Sequence, residues 1–366
     1  MQILICPDSF KGTLTAKAAA EAIRAAAKKI FPEAETRLLP LGDGGEGTME
    51  CFLAAGAKKK TARVLGLYGE ELEASYLLLK DGKTAYVESA EAAGLTKSDL
   101  RITEIATTYG VGELIMKAAK DGAERVFLGL GGSGTSDMGL GMAAAMGFTF
   151  YDQAGIEFIP TGRSLKTLAR VEKPEGKLPE IIALCDVENP LCGPNGSAAV
   201  FGPQKGADEK TVRMLDEGMR LASKIIDGEK ADHPGAGAAG GMGYAVLALL
   251  GGRLARGIDV ISRTVGLNEA IRDSDMVLSG EGSFDGQSLM GKAVGGIAVR
   301  AKEAGVPLYV LCGRAGGAEK AYEAGVTAVF PMTEYTLAAL PSAEETRAAL
   351  EKTAENLFRT IKINRR

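Results

Sequence analysis

The sequence predicts an α/β protein: a flavodoxin-like doubly wound parallel sheet assembled from both ends of the chain, with a second α/β domain containing a mixed sheet inserted between them. Three observations predict it. Five short apolar runs alternate with helical patterns, two of them before the hairpin region and three after about residue 273, and strands alternating with helices build parallel sheets. Between them the alternation breaks, and period-two segments 73–79 and 84–87 flank Asp81-Gly82, a hairpin signal. The chain of 366 residues is also longer than the roughly 250–300 at which a single core stops growing. The expected domains are 1–62 with 272–366, and 63–271.

Each element follows from its local pattern. Gln2-Ile3-Leu4-Ile5-Cys6 is a strand stopped by Pro7-Asp8, and 15–30 repeats alanines and aliphatics at helical spacing behind Thr13 or Thr15 as N-cap. A second strand covers 36–40 and a second helix 46–55. After the hairpin come a helix over 112–120, a strand over 125–130, a small-residue helix ending near Gly147 and a strand over 181–185. Alternation resumes with strands 276–279, 308–312 and 326–330 and helices 292–304, 317–324 and 343–361.

In a sheet ordered 2-1-3-4-5 the ligand crevice lies outside the carboxyl ends of strands one and three. Strand one runs into Pro7-Asp8-Ser9-Phe10-Lys11-Gly12. Strand three runs into Ser279-Gly280-Glu281-Gly282-Ser283-Phe284-Asp285-Gly286. Both loops carry carboxylates, hydroxyls and glycines, more chemistry than a connection needs.

Composition narrows the function. Hydrophobic residues at 46% and charged residues at 25% are those of a globular protein. The net charge of −4 comes from interspersed signs, which argues against nucleic-acid and anionic-membrane surfaces. Five cysteines without C-x-x-C spacing suit a reducing, cytoplasmic compartment, and no signal peptide is expected. The longest apolar patch, 244–250, is too short to span a bilayer. His233 is the single histidine, so mechanisms that need two, and His-rich zinc sites, are excluded.

Several motifs carry chemistry. Gly129-Leu130-Gly131-Gly132-Ser133-Gly134-Thr135-Ser136-Asp137 follows a strand, and its N–H groups and hydroxyls suit phosphate oxygens, with Asp137 available to a metal. Gly129, Gly131 and Gly134 also match G-x-G-x-x-G, and Asp152 stands where a ribose-binding acid would, so an NAD(P)-dependent oxidoreductase of a small hydroxy acid is the alternative reading. Asp43, in Gly42-Asp43-Gly44-Gly45-Glu46-Gly47-Thr48, is a metal or hydroxyl ligand or a helix cap. Asp186 ends an apolar strand, where an acid accepts a hydroxyl proton or holds Mg²⁺. Phe201-Gly202-Pro203-Gln204-Lys205-Gly206 adds turns and a cation, and the glycine-rich stretch 234–243 permits close backbone approach. Lys11 and Lys292 lie beside glycine-containing loops at the crevice and could neutralise phosphate or carboxylate.

Read together, these segments resemble the bacterial glycerate kinase family of the glycerate 2-kinase type. The match runs in order through 7–12, 42–48, 129–137, 185–194, 201–206, 234–243 and 280–288. The resemblance implies transfer of the ATP γ-phosphoryl group to D-glycerate, with Mg²⁺, giving 2-phosphoglycerate rather than 3-phosphoglycerate. With no suitable histidine, Asp186 or Asp285 is the expected proton acceptor, with Lys11 and Lys292 as catalytic cations. Asp8 or Asp43 would hold the metal, and Asp8, Ser9, Lys11, Glu281 and Ser283 the substrate. Gly131, Gly132, Ser133, Thr135 and Ser136 would cradle the nucleotide phosphates. Four positions depart from the family's usual residues: Gly42 stands for alanine, Ser136 for asparagine, Met138 for glycine and Ser283 for arginine.

Overall fold

The computed structural model describes residues 1–42, 47–285, 288, 293–316, 319–332 and 341–363. Its strands are β1 (Gln2–Ile5), β2 (Glu35–Leu38), β3 (Lys58–Leu65), β4 (Glu71–Leu78), β5 (Thr84–Glu88), β6 (Arg125–Gly129) and β7 (Thr149–Asp152). They continue as β8 (Leu168–Glu172), β9 (Glu180–Leu184), β10 (Arg253–Ala255), β11 (Met276–Phe284), β12 (Leu308–Ala315) and β13 (Ala328–Pro331). The described residues form two compact units, one up to Ala55 and from Ile258 onward, the other Gly56–Gly257.

The first unit is a five-stranded sheet ordered β13-β12-β11-β1-β2, parallel throughout. Counted within that sheet the order is 2-1-3-4-5, the flavodoxin-like arrangement expected. Helices Ala16–Ile30 and Ala343–Ile363 cover one face, burying Ile3, Ile5, Met276 and Leu278 against Ala19, Ile23, Leu350 and Phe358. Alternation leaves Leu4 and Val277 fully buried on the opposite face. Helix Ala16–Ile30 starts where the Thr15 hydroxyl accepts the Ala18 N–H at 3.2 Å, and ends before Pro32.

Strand three is longer than its apolar run. The sequence places its end at 279, but β11 continues to Phe284 and pairs with β12 as far as Phe284↔Ala315. Glycine is what allows this: a Cβ at Gly280 would lie 2.3 Å from the Leu311 carbonyl oxygen. Residues that read as a turn are therefore held in a ladder.

The second unit carries a mixed six-stranded sheet ordered β10-β9-β6-β5-β4-β3, with β3, β4 and β5 antiparallel and the rest parallel. The β4–β5 hairpin is closed by Asp81, whose carboxylate accepts the Lys83 N–H, the Thr84 N–H and the Thr84 hydroxyl. A separate ribbon pairs β7 with β8, which the sequence reading did not separate out.

Gly280→Ala is expected to lower the stability of the first unit by about 1–3 kcal/mol. Urea unfolding checks this, and an unchanged midpoint would show that β12 can withdraw without cost.

Candidate active site

At the carboxyl end of the first unit's sheet, β1 keeps pairing after its last apolar residue. The Cys6 N–H donates to Leu278 O and the Asp8 N–H to Gly280 O, both at 2.8 Å, while Pro7 O accepts the Leu41 N–H. This continues the β1–β11 register, in which Ile5 pairs with Leu278, until Asp8 stands opposite Glu281, and paired residues in a parallel ladder share a face. Glu281 and Ser283 are two apart on β11, and Cys312 and Arg314 are their partners on β12. One face therefore gathers Asp8, Glu281, Ser283 and Arg314.

The electrostatics agree with that placement. Burial pushes the Cys312 thiol up to about 12, with the Glu281 charge adding to it. Burial likewise pushes the Cys51 thiol up, and Asp8 and Glu50 add to it, so helix Thr48–Ala54 looks onto the same acids. Asp8 is 9% exposed, and one of its oxygens accepts the Ser9 N–H at 2.6 Å. The Ser9 hydroxyl is buried with no partner among the described residues. Lys11 is exposed on the tight loop closed by Phe10 and Leu14, whose N–H groups bond each other's carbonyls. Asp285 is exposed at the end of β11, with one oxygen accepting the Ser288 N–H at 3.3 Å.

In the second unit, β6 and β9 are parallel neighbours, so the 129–137 loop and Asp186 leave the same end of the sheet. Part of the loop is committed internally: Gly134 N–H donates to Ala93 O, and Gly132 O accepts the Leu95 N–H. The N–H groups of Gly131, Gly132 and Ser133 have no partner among the described residues. Ser133 and Thr135 hydroxyls bond each other at 2.9 Å. Ser136 is 1% exposed and its oxygen accepts the Thr103 hydroxyl proton, so its side chain faces the core. Asp186 is exposed, and its Oδ1 accepts the Gly257 N–H at 3.2 Å.

The glycine-rich stretch 234–243 backs this loop. Ala239, Gly240 and Gly241 take left-handed conformations inside helix Ala238–Ala248, and a Cβ at Gly240 would lie 2.0 Å from Thr135 O. Its role here is close packing of one backbone on another.

The sequence profile of the glycerate kinase family matches residues 3–362. The chain belongs to the glycerate kinase family. A "Glycerate kinase" of Halalkalibacterium halodurans is 38% identical, with 97% of each chain covered. A "Glycerate 2-kinase" of Escherichia coli is 41% identical over 86% of this chain and 85% of its own. A solved crystal structure from Salmonella typhimurium LT2 superposes with a TM-score of 0.88 at 34% identity, covering 100% of this chain and 99% of that one.

As a member of the glycerate kinase family the chain is a phosphotransferase acting on an alcohol group of a small molecule, and a kinase family implies ATP as phosphoryl donor. No helix among the described residues is long and apolar enough to cross a membrane. The dinucleotide geometry is not formed. Helix Leu140–Ala145 begins six residues beyond Gly134, and Asp152 sits on a ribbon outside the main sheet, where its carboxylate accepts the Ala154 and Ile156 N–H groups as a turn former.

Asp43 and Lys292 lie outside the described residues. Asp137, read as a possible metal ligand, is fully buried and accepts from the Thr108 N–H and hydroxyl and from the Gly139 and Gly141 N–H groups. Burial still lifts its carboxyl above the ordinary range, against those donors. Among the described residues no three acidic, histidine or cysteine side chains form a metal cage.

Lys205 is the cation the sequence supplied without a place. It is 3% exposed, and its ammonium donates to Thr135 O at 2.7 Å, directly behind the glycine loop. Burial pushes it down to about 8 from 10.5, with Asp137 opposing. Between these two values the unfolded chain binds more protons than the folded one, so stability rises with pH across that window. Relative to Lys205→Met, the wild type is expected to gain up to about 3 kcal/mol between pH 7.5 and 10.5. Urea unfolding at the two pH values measures the difference, and a flat difference would mean that the ammonium is hydrated when folded.

Proposed function

We propose that this family member transfers the γ-phosphoryl group of ATP to the 2-hydroxyl of D-glycerate, giving 2-phosphoglycerate, with Mg²⁺. The observation that carries the reading is in the second unit. Three consecutive N–H groups without partners, Gly131 to Ser133, leave the sheet beside the exposed carboxylate of Asp186. Unpaired backbone donors suit phosphate oxygens, and a carboxylate at the same sheet end suits a hydroxyl proton. The likeness to the Escherichia coli glycerate 2-kinase supports the 2-hydroxyl as acceptor.

Phosphoryl transfer asks the protein for alignment and charge neutralisation more than covalent help. The acceptor hydroxyl gives its proton to Asp186 or Asp285. Lys11 and Lys292 hold the acceptor carboxylate or the moving phosphoryl group, and Asp8, Ser9, Glu281 and Ser283 orient the acceptor. Gly131, Gly132 and Ser133 receive nucleotide phosphate oxygens; Thr135, fully buried with its hydroxyl on Ser133 and its carbonyl on Lys205, and Ser136 support the loop from beneath. Mg²⁺ needs only one or two protein carboxylates, its other ligands being phosphate and water. Asp8 fits that demand, with Asp43 as the second candidate. The ion would neutralise charge on the phosphoryl oxygens.

Phosphorus NMR of a reaction with ATP, Mg²⁺ and D-glycerate tests the proposal. A phosphorus signal split by a single carbon-bound proton is expected, as for a phosphate on C2. Splitting by two protons would assign the other hydroxyl, and no phosphoglycerate would overturn the reading. In the same assay Asp186→Asn or Asp285→Asn is expected to lose on the order of 100-fold or more in turnover. Near-normal turnover in both folded variants would remove the carboxylate from the mechanism.

A further inference from the structure

We propose that Arg314 binds the carboxylate of the acceptor and so sets the enzyme's preference for hydroxy acids over neutral alcohols, an inference that rests on the function proposed above. Its origin is the extension of β11 and β12. Ser283 and Arg314 are register partners in that parallel extension, so their Cα atoms are about 4.8 Å apart and their side chains share a face. The same face carries Glu281 and, through the β1 register, Asp8. An anionic acceptor meeting two carboxylates there is repelled unless a cation stands with them.

Arg314 is free to be that cation. It is exposed, and no hydrogen bond or ion pair engages its side chain among the described residues. A guanidinium stays charged at any working pH and meets a carboxylate with two parallel N–H donors, which the point charge of Lys11 cannot do. Arg314 faces Ser283 across the ladder, so a guanidinium placed at either position would serve the same face.

The test compares wild type, Arg314→Ser and the double variant Ser283→Arg with Arg314→Ser. Steady-state kinetics are read for D-glycerate and ATP separately. Calorimetry compares binding of D-glycerate with that of its neutral amide. Arg314→Ser is expected to lower kcat/KM for D-glycerate by about 100-fold while changing KM for ATP less than about threefold. It should also abolish the preference for the acid over the amide. Placing an arginine at 283 in that background is expected to recover at least about tenfold. Unchanged kcat/KM for D-glycerate in Arg314→Ser, or equal rises in KM for both substrates, would overturn the inference. Failure of the double variant to recover would overturn it too, since the charge would then not act through the shared face.

The two readings fail differently. A wild type that binds D-glycerate through Arg314 but makes no phosphoglycerate would refute the function and keep the carboxylate contact. A wild type that phosphorylates D-glycerate with Arg314→Ser unaffected would do the reverse. Arg314→Ser removes no side-chain hydrogen bond or ion pair among the described residues, so a thermal midpoint close to wild type is expected and serves as the folding control.

Discussion

The backbone ladder that joins β11 to β1 and β12 beyond the apolar end of the sheet is the constraint on which the first unit's site depends. Each N–H and C=O in this stretch must find a partner when water is excluded. The Asp8 N–H finds Gly280 O, and the Ser279 hydroxyl finds Cys6 O at 3.0 Å. Because the ladder continues, Asp8, Glu281, Ser283 and Arg314 are fixed by strand register and are not left on mobile loops. Pre-organised groups are what phosphoryl transfer requires, since their charges need not reorient as the reaction proceeds.

The second unit solves the same problem by another route. Its 129–137 loop is irregular, and it is stiffened from three sides: the bridge to residues 93–95, the buried Lys205 ammonium under Thr135, and the left-handed turn at Gly240 packed behind it. Asp137 fixes where the following helix begins by capping both the Thr108 and the Gly139 ends. The committed polar groups lie inside, and the uncommitted ones, Gly131, Gly132 and Ser133 N–H, are left at the edge.

The apolar alternation of Ile3, Leu4 and Ile5 and of Met276, Val277 and Leu278 made the parallel sheet and its order legible, because fully buried strands declare themselves as continuous aliphatic runs. The end of β11 was not legible. Gly280 and Gly282 look like turn formers, and only the proximity of the Leu311 carbonyl shows that Gly280 is there to let a strand pass. The chemistry-bearing residues Asp8, Glu281, Asp186 and Gly131 to Ser133 stood out because polar side chains and glycines follow apolar runs abruptly. Ser136 and Asp137 stood out for the same reason, yet both face the core; inward and outward polar groups look alike in a sequence. Arg314 went unread because it lies two residues past the apolar run of its strand, and its meaning comes from a partner 31 positions away in the chain. Met138 has a structural signature the sequence does not show: it takes a left-handed φ of 60°, and full burial of its side chain offsets the strain, about 1–2 kcal/mol.

Amide hydrogen exchange in the ligand-free protein is the most direct measure of whether register, rather than a loop, presents the acidic face. The β11–β12 ladder predicts that the N–H groups of Glu281 and Ser283, which face β12, exchange about as slowly as those of Val277 and Ser279. Exchange of Glu281 and Ser283 at the rate of the exposed Lys11 loop would contradict it.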